Sequence, residues 1–222
     1  MAQFNPDLFK KFIAPGMDER PNIELPDLSA EFAAAGVWMQ QYFLSSIFHC
    51  EYSGQSKLYA ESIIARIQMI FASYQSGRTK LQDYANGWAP GQPGISRYLA
   101  AIAEWESVFL NLQIIYSLFA KYLGMTFTVG DRENRSRMIA NRIKHVSEDI
   151  EKGKVEFVGL PLWLEKNGFG TNKANVTFHE ICEEVRLLAL FADCLSIPSK
   201  ARERFAELDK KLADDPNYQI AP

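Results

Sequence analysis

The densest cluster of side chains able to do chemistry in this sequence runs from Arg132 to Lys152. Its apolar positions, Ile139, Ile143, Val146 and Ile150, recur at three- and four-residue steps, the spacing of one helix face. At about 100° per residue, Asn141 and His145 fall well to the side of that line. Arg137 and Glu148 continue the same polar strip, and Arg142 lies on its border with the apolar face. Lys144 adds to the cationic patch, and Arg132 and Arg135 stand just upstream. Histidine titrates near neutrality and serves as a general base, while a neighbouring guanidinium stabilises a charged phosphorane. Together they place a candidate proton acceptor within a patch of positive charge. The same residues also suit a plainer role, with His145 a solvated helix residue paired with Glu148 or Asp149, or a weak contact to RNA.

Other combinations are less specific. His179-Glu180, followed by Glu183 and Glu184, offers ligand-type side chains, but a carboxylate at Glu180 also satisfies the free amides of a helix start. His49-Cys50-Glu51 closes a helix, where a histidine is favoured by the helix dipole alone. None of His49, His145 and His179 has a carboxylate three residues upstream, so the Glu-x-x-His pairs of a di-iron bundle are missing. Cys50, Cys182 and Cys194 form no Cys-x-x-Cys and read as reduced, buried thiols. Phosphate-binding Gly-x-x-x-x-Gly-Lys, dinucleotide Gly-x-Gly-x-x-Gly and nucleophile-elbow Gly-x-Ser-x-Gly patterns do not occur. The expectation is no metal and no cofactor.

The string Asn141-Arg142-Ile143-Lys144-His145, following a long central helix, resembles the HEPN superfamily of small helical bundles. In that family an Arg, commonly followed by Asn, precedes a His by four to six residues, so that Asn-x-x-x-His is the usual tail of the motif. The tail is present as Asn141 to His145, whereas Ala140, Ile139 and Met138 occupy the positions expected to hold the Arg. The resemblance spans about residues 27–195 in architecture and five residues in motif. It implies a metal-independent endoribonuclease of a toxin–antitoxin or antiviral system, or a relative that acts only by binding RNA or protein. Under it, His145, Arg142 and Asn141 would be catalytic, and Arg137, Lys144 and Arg135 would bind the nucleic acid. RNA, a second copy across a two-fold axis and a cognate antitoxin are the partners it implies. The alternative is a non-catalytic helical interaction or assembly protein with no active site.

The elements that would hold this strip form an all-α fold, a bundle of about five to six helices with a small β-hairpin inserted between the fourth and fifth. Residues 1–26 are a proline-punctuated arm, broken by Pro6, Pro15, Pro21 and Pro26. The 27–213 stretch reads as a single helical-bundle domain and 214–222 as a frayed tail. A first helix spans Leu28 to Cys50 with Phe32, Ala35, Met39, Tyr42, Phe43 and Ile47 inward. The second, capped by Ser56, buries Leu58, Ile63, Ile67, Ile70, Phe71 and Tyr74 and stops at Gly77, with one further helical turn at 79–86. The third, Ile95 to Leu123, is apolar on more than one face and belongs at the centre. The fourth runs from Asp131 to Gly153. Val155, Phe157, Leu160, Leu162 and Trp163 suggest the strand pair, followed by a mobile turn around Gly168 and Gly170. Thr177 and Glu180 form a capping box that opens the fifth helix, and Ser196 and Pro198 restart a charged terminal helix. Trp38, Trp105 and Trp163 belong to the core or its edge, while Trp88 sits in a Gly/Pro loop.

Bulk properties set the frame. At 222 residues with 47% hydrophobic and 13% aromatic content, the chain can bury a sizeable core without staples. A net charge of -3 gives no global attraction to nucleic acid or to an anionic membrane. Asp7, Lys10 and Lys11 interrupt Met1 to Phe12, which does not read as a signal peptide, and no apolar run is long enough to span a bilayer. A cytoplasmic setting is expected.

Overall fold

A computed structural model describes residues 13, 15, 21–48, 52–87, 94–122, 124–126, 131–154 and 159–214. Cys50, His49, Trp88, Val155, Phe157, most of the 1–26 arm and nearly all of the 214–222 tail lie outside the described residues.

Two helices form the frame. α2 (Gly54–Asn86) and α3 (Ile95–Tyr122) lie antiparallel, with Tyr59 stacked on Tyr122 at one end and Tyr84 against Tyr98 at the other. At 1.5 Å per residue, the 33 residues of α2 extend for about 50 Å. Gly77 does not end this helix as its sequence suggests. A Cβ there would lie 2.9 Å from the Trp105 indole nitrogen, so the glycine admits a ring from α3 against the backbone of α2. That close approach is tertiary, and the 79–86 turn is simply the continuation of the same helix.

α1 (Trp38–Phe48) packs beside α2 and is shorter than the Leu28 to Cys50 expectation. Residues 28–34 form turns and a single 3-10 turn covers Ala35–Val37. Phe32 and Trp38 meet Phe71 edge-on, fixing this corner. Upstream, the Pro21–Pro26 stretch lies along α2, where Arg78 Nε donates to Leu25 O at 2.9 Å and Tyr74 Oη to Pro26 O at 3.0 Å.

The fourth predicted helix is two helices, α4 (Arg132–Lys144) and α5 (Val146–Glu151), divided at His145, whose backbone sits at φ -109°, ψ 18°. α4 lies against α3. Ile139 is fully buried, but Ile150 is 54% exposed, because the break turns α5 away from the apolar line that a straight helix would have continued.

The β insertion falls between the predicted fourth and fifth helices but is a three-stranded antiparallel meander rather than a pair. Its strands are β1 (Trp163–Glu165), β2 (Gly168–Gly170) and β3 (Asn175–Thr177). The stretch expected to turn freely is its central strand. Gly168 and Gly170 fit there because a Cβ on Gly168 would collide with the Val176 carbonyl and one on Gly170 with the Glu165 carboxylate. Phe169 projects from β2 into the core against Trp105, with centroids 4.6 Å apart, and against Phe109 and Phe178. α6 (Phe178–Leu195) then opens with the predicted capping box: Thr177 Oγ1 accepts from Glu180 N, and the Glu180 carboxylate accepts from Thr177 N at 2.9 Å. A 3-10 turn at Pro198–Lys200 leads into α7 (Ala201–Asp214). Among the described residues, seven α-helices and one small sheet thus surround a cluster of buried side chains that reaches from Leu25 to Leu195.

Among the described residues, no helix is long and apolar enough to cross a membrane. Cys182 and Cys194 are free and buried. Trp38 and Trp105 are fully buried, and Trp163 is half-buried at the sheet edge.

Candidate functional site

The break at His145 decides how the polar strip is laid out. Arg142 swings inward. Its side chain is 1% exposed, and its Nη1 donates to Asp149 Oδ2 at 2.6 Å, tying α4 to α5 across the break. That hydrogen bond holds the Asp149 carboxyl below the usual aspartate range. The guanidinium is therefore engaged by an internal carboxylate. His145 points outward, 52% exposed, with Nδ1 at 3.2 Å from Glu148 Oε1. Glu148 also accepts from Lys152 at 3.2 Å, and these bonds, Lys152 first, keep its carboxyl low. Asn141 is exposed, its Oδ1 accepting from Gln113 Nε2 of α3 at 2.5 Å.

Upstream, Arg132 bonds Glu133 through Nε and Nη2 at 3.1 and 3.0 Å. Arg135 forks onto Glu180 of α6, with one contact at 3.3 Å and a closer one between Nη2 and Oε1, and it donates to Asn175 O at 3.1 Å. Arg137 is half-buried. Lys144 is exposed beside His145. Asn141, Lys144 and His145 thus come together on one solvent-facing surface, while Arg142 and Arg135 face inward to Asp149 and Glu180. Most of the positive charge that the sequence gathers here is neutralised by acids on α4, α5 and α6.

A second constellation lies inside. Glu184 of α6 is 2% exposed and accepts from Tyr116 Oη of α3 and from Ser136 Oγ of α4, the latter at 3.0 Å. Burial pushes its carboxyl up to about 7, against the lowering effect of the Tyr116 bond, of the nearby Arg132 and of the Ser136 bond. Burial likewise drives the Tyr116 phenol well above its usual range. A carboxyl held near neutrality is suited to proton transfer, but this one is sealed among three helices. It joins them through Tyr116 and Ser136. The sequence carries a signal for it, because Glu184 follows Ile181 by three residues and precedes Leu188 by four, on the inward stripe of α6.

Two clefts flank α6. Near its start, a polar cleft of about 630 Å³ is lined by His179, Cys182, Glu183 and Arg186 together with Asn22 and Asn167. Its thiol is a poor nucleophile, since burial pushes Cys182 up. Arg186 is held there by Glu31 and Glu183. Near the end of α6 lies a mainly apolar cleft of about 510 Å³. Among the described residues, no group of three or more His, Cys, Asp or Glu is placed to hold a metal ion.

One further surface is unusual. α1 carries no charged residue, and Phe43, Leu44 and Ile47 are 63%, 49% and 59% exposed. Phe43 and Ile47, expected inside, are outside because the buried arc of α1 is filled by Trp38 and Tyr42. Leu58 at the start of α2, also expected inside, is 65% exposed, as is Leu99 of α3 at 41%. Comparison with known proteins finds no matching family model, no matching curated protein and no matching solved structure.

Proposed function

We propose that this chain is a non-catalytic helical assembly module that associates with a second copy through the outward face of α1. One observation carries the reading: α1 is apolar on both sides. Taking Phe43 as zero, Ile47, Gln40 and Leu44 fall at about 40°, 60° and 100° around the helix, and Trp38 and Tyr42 occupy the opposite arc. Gln40, Gln41, Ser45 and Ser46 are the polar residues of the helix, and an exposed apolar patch of this kind marks an interaction surface. The absence of charge on α1 selects the occupant. Two copies meet across it without like-charge repulsion, and an uncharged apolar face is self-complementary, as a two-fold contact requires. An anionic bilayer would find no lysine or arginine on α1 and a net charge of -3 on the chain.

Light scattering of the full chain tests it. The wild type is expected to elute as a dimer, and Phe43→Glu with Ile47→Glu as a monomer whose melting temperature is unchanged within about 2 °C. A wild type that stays monomeric at high micromolar concentration sinks the reading.

The HEPN-like reading, RNA cleavage or binding in prokaryotic stress or defence, is supported by the joint exposure of Asn141, Lys144 and His145 at the α4–α5 break. In this reading Lys144, not Arg142, supplies the cation near His145. Incubation with labelled tRNA and mixed RNA in EDTA, beside His145→Ala, checks it. Equal cutting by both proteins, or none by either, removes the nuclease.

A further inference from the structure

We propose that the apolar cleft at the far end of α6 binds an unbranched aliphatic monocarboxylate, with its tail in the cleft and its head on Arg202. The cleft lies where the start of α2, the ends of α3 and α6, and the start of α7 converge, and its volume is about 510 Å³. That size and an apolar lining with few polar groups are the marks of a small-molecule site.

The walls are graded from dry to wet. Ala60, Ile63 and Leu195, each less than a tenth exposed, form the deep part. Phe191 and Phe205 make one side and are fixed to each other at a centroid distance of 4.8 Å, with Phe119 bracing Phe191 from behind at 5.1 Å. Packing of this kind keeps the cleft open rather than letting it collapse. Among the described residues no acid or amide lines it, and apart from Arg202 its polar groups are the hydroxyls of Tyr52, Ser56 and Tyr122, so a ligand tail meets mainly hydrocarbon.

The mouth is different. Tyr122, 43% exposed and held by its stack on Tyr59 at 4.6 Å, stands near the half-buried hydroxyl of Ser56. Among the described residues, Arg202 is the one lining residue carrying a formal charge. Its own helix offers it no counter-ion: positions 198, 199, 205 and 206 are Pro, Ser, Phe and Ala, and these are the neighbours an i±3 or i±4 pair would use. Among the described residues no acid pairs with it, whereas Arg204, two positions on, donates to Asp193 O at 2.6 Å. The cleft is thus a hydrocarbon-lined slot with one uncompensated cation at its mouth. The first turn of α7 adds the positive end of a 14-residue helix, offset in part by Glu203 in the same turn. A single negative charge on an alkyl tail matches both ends. A cationic amphipath matches only the tail.

The probe is decanoate, titrated calorimetrically into the full-length protein, with decyltrimethylammonium as the cation bearing the same tail. Saturable one-to-one binding of decanoate is expected, together with roughly tenfold weaker binding to Arg202→Gln, the loss of one charge-assisted contact. Arg202→Glu is expected to abolish it, and both variants replace an exposed side chain, so they fold. Ala60→Met, which fills the deep part, is expected to weaken decanoate binding with Arg202 intact. Should that variant fail to fold, the arginine pair alone decides. No saturable heat with decanoate, equal affinity of Arg202→Glu and wild type, or equal affinity for the two amphipaths each overturns the proposal. None of these outcomes bears on the oligomeric state, so this site and the α1 contact stand or fall separately.

Discussion

The surface around His145 and the interior around Glu184 hold the same kinds of residue and behave in opposite ways. At the α4–α5 break each acid sits next to a cation, Glu148 exposed and Asp149 buried, and their carboxyls are held low: Glu148 by Lys152 and His145, Asp149 by Arg142. Where α3, α4 and α6 meet, Glu184 is buried with hydroxyls as its direct partners, and its carboxyl is driven up to about 7. The direction follows from what is within reach. A partner that stabilises the anion beats a thin desolvation cost, whereas complete burial beats two hydroxyl hydrogen bonds and a more distant arginine. Clustered charge in a sequence therefore marks the region where ionisation is least costly. Among the described carboxyls, the one with the most altered ionisation is a single acid on an apolar stripe.

The largest way to break this contrast is Glu184→Ala. It leaves the Tyr116 and Ser136 hydroxyls buried without their acceptor and opens a void among three helices. A loss of about 4 kcal/mol is expected in urea unfolding. A loss below about 1 kcal/mol would mean that the interior cluster is no more structural than the surface. Next in size is the pH dependence. Between the ordinary carboxyl value and about 7, the folded state retains on Glu184 a proton that the unfolded chain has released. Stability therefore falls as pH rises through that window, by about 3 kcal/mol in all. Asp149 and Glu148 work the other way, their contribution being lost only as pH falls below the ordinary acid range. Glu184→Gln keeps an acceptor but cannot titrate. The difference between its stability–pH curve and that of the wild type isolates the one group, and parallel curves from pH 5 to 8 would refute the assignment.

What was legible in the sequence follows the same division between local and tertiary causes. The Thr177–Glu180 capping box formed as its spacing requires, because both partners lie within four residues. The central place of α3 followed from its many apolar positions. Gly77 misled because the reason for a glycine there is a ring from another helix. The division of the fourth helix at His145 was hidden too, since Arg142 and Asp149 look like ordinary strip residues until the chain turns to join them. The sheet was displaced because β2 is Gly-Phe-Gly, a composition that reads as a turn until its two neighbours close on it. Phe43, Ile47 and Leu58 carry the periodicity of a core that the described residues do not complete, which is the reason for looking to a second copy.

Two smaller substitutions sharpen the contrast within the strip itself. Arg142→Ala removes the buried half of the α4–α5 tie, leaving Asp149 without its guanidinium and a gap beneath the break. A fall in melting temperature of roughly 5 °C is expected by calorimetry. His145→Ala, three residues on, removes an exposed ring whose described contact is one hydrogen bond to Glu148, and Lys152 still bonds that acid. A change below about 1 °C is expected. The pair thus separates two residues that a motif would group together. If His145→Ala destabilised as much as Arg142→Ala, the ring would be part of the tie. If it were silent in stability yet abolished RNA cutting, the exposed surface would be functional and Arg142 would serve only as its frame. The same readout on both variants tells these cases apart, because a structural arginine moves melting and cutting together, whereas a working histidine moves cutting alone.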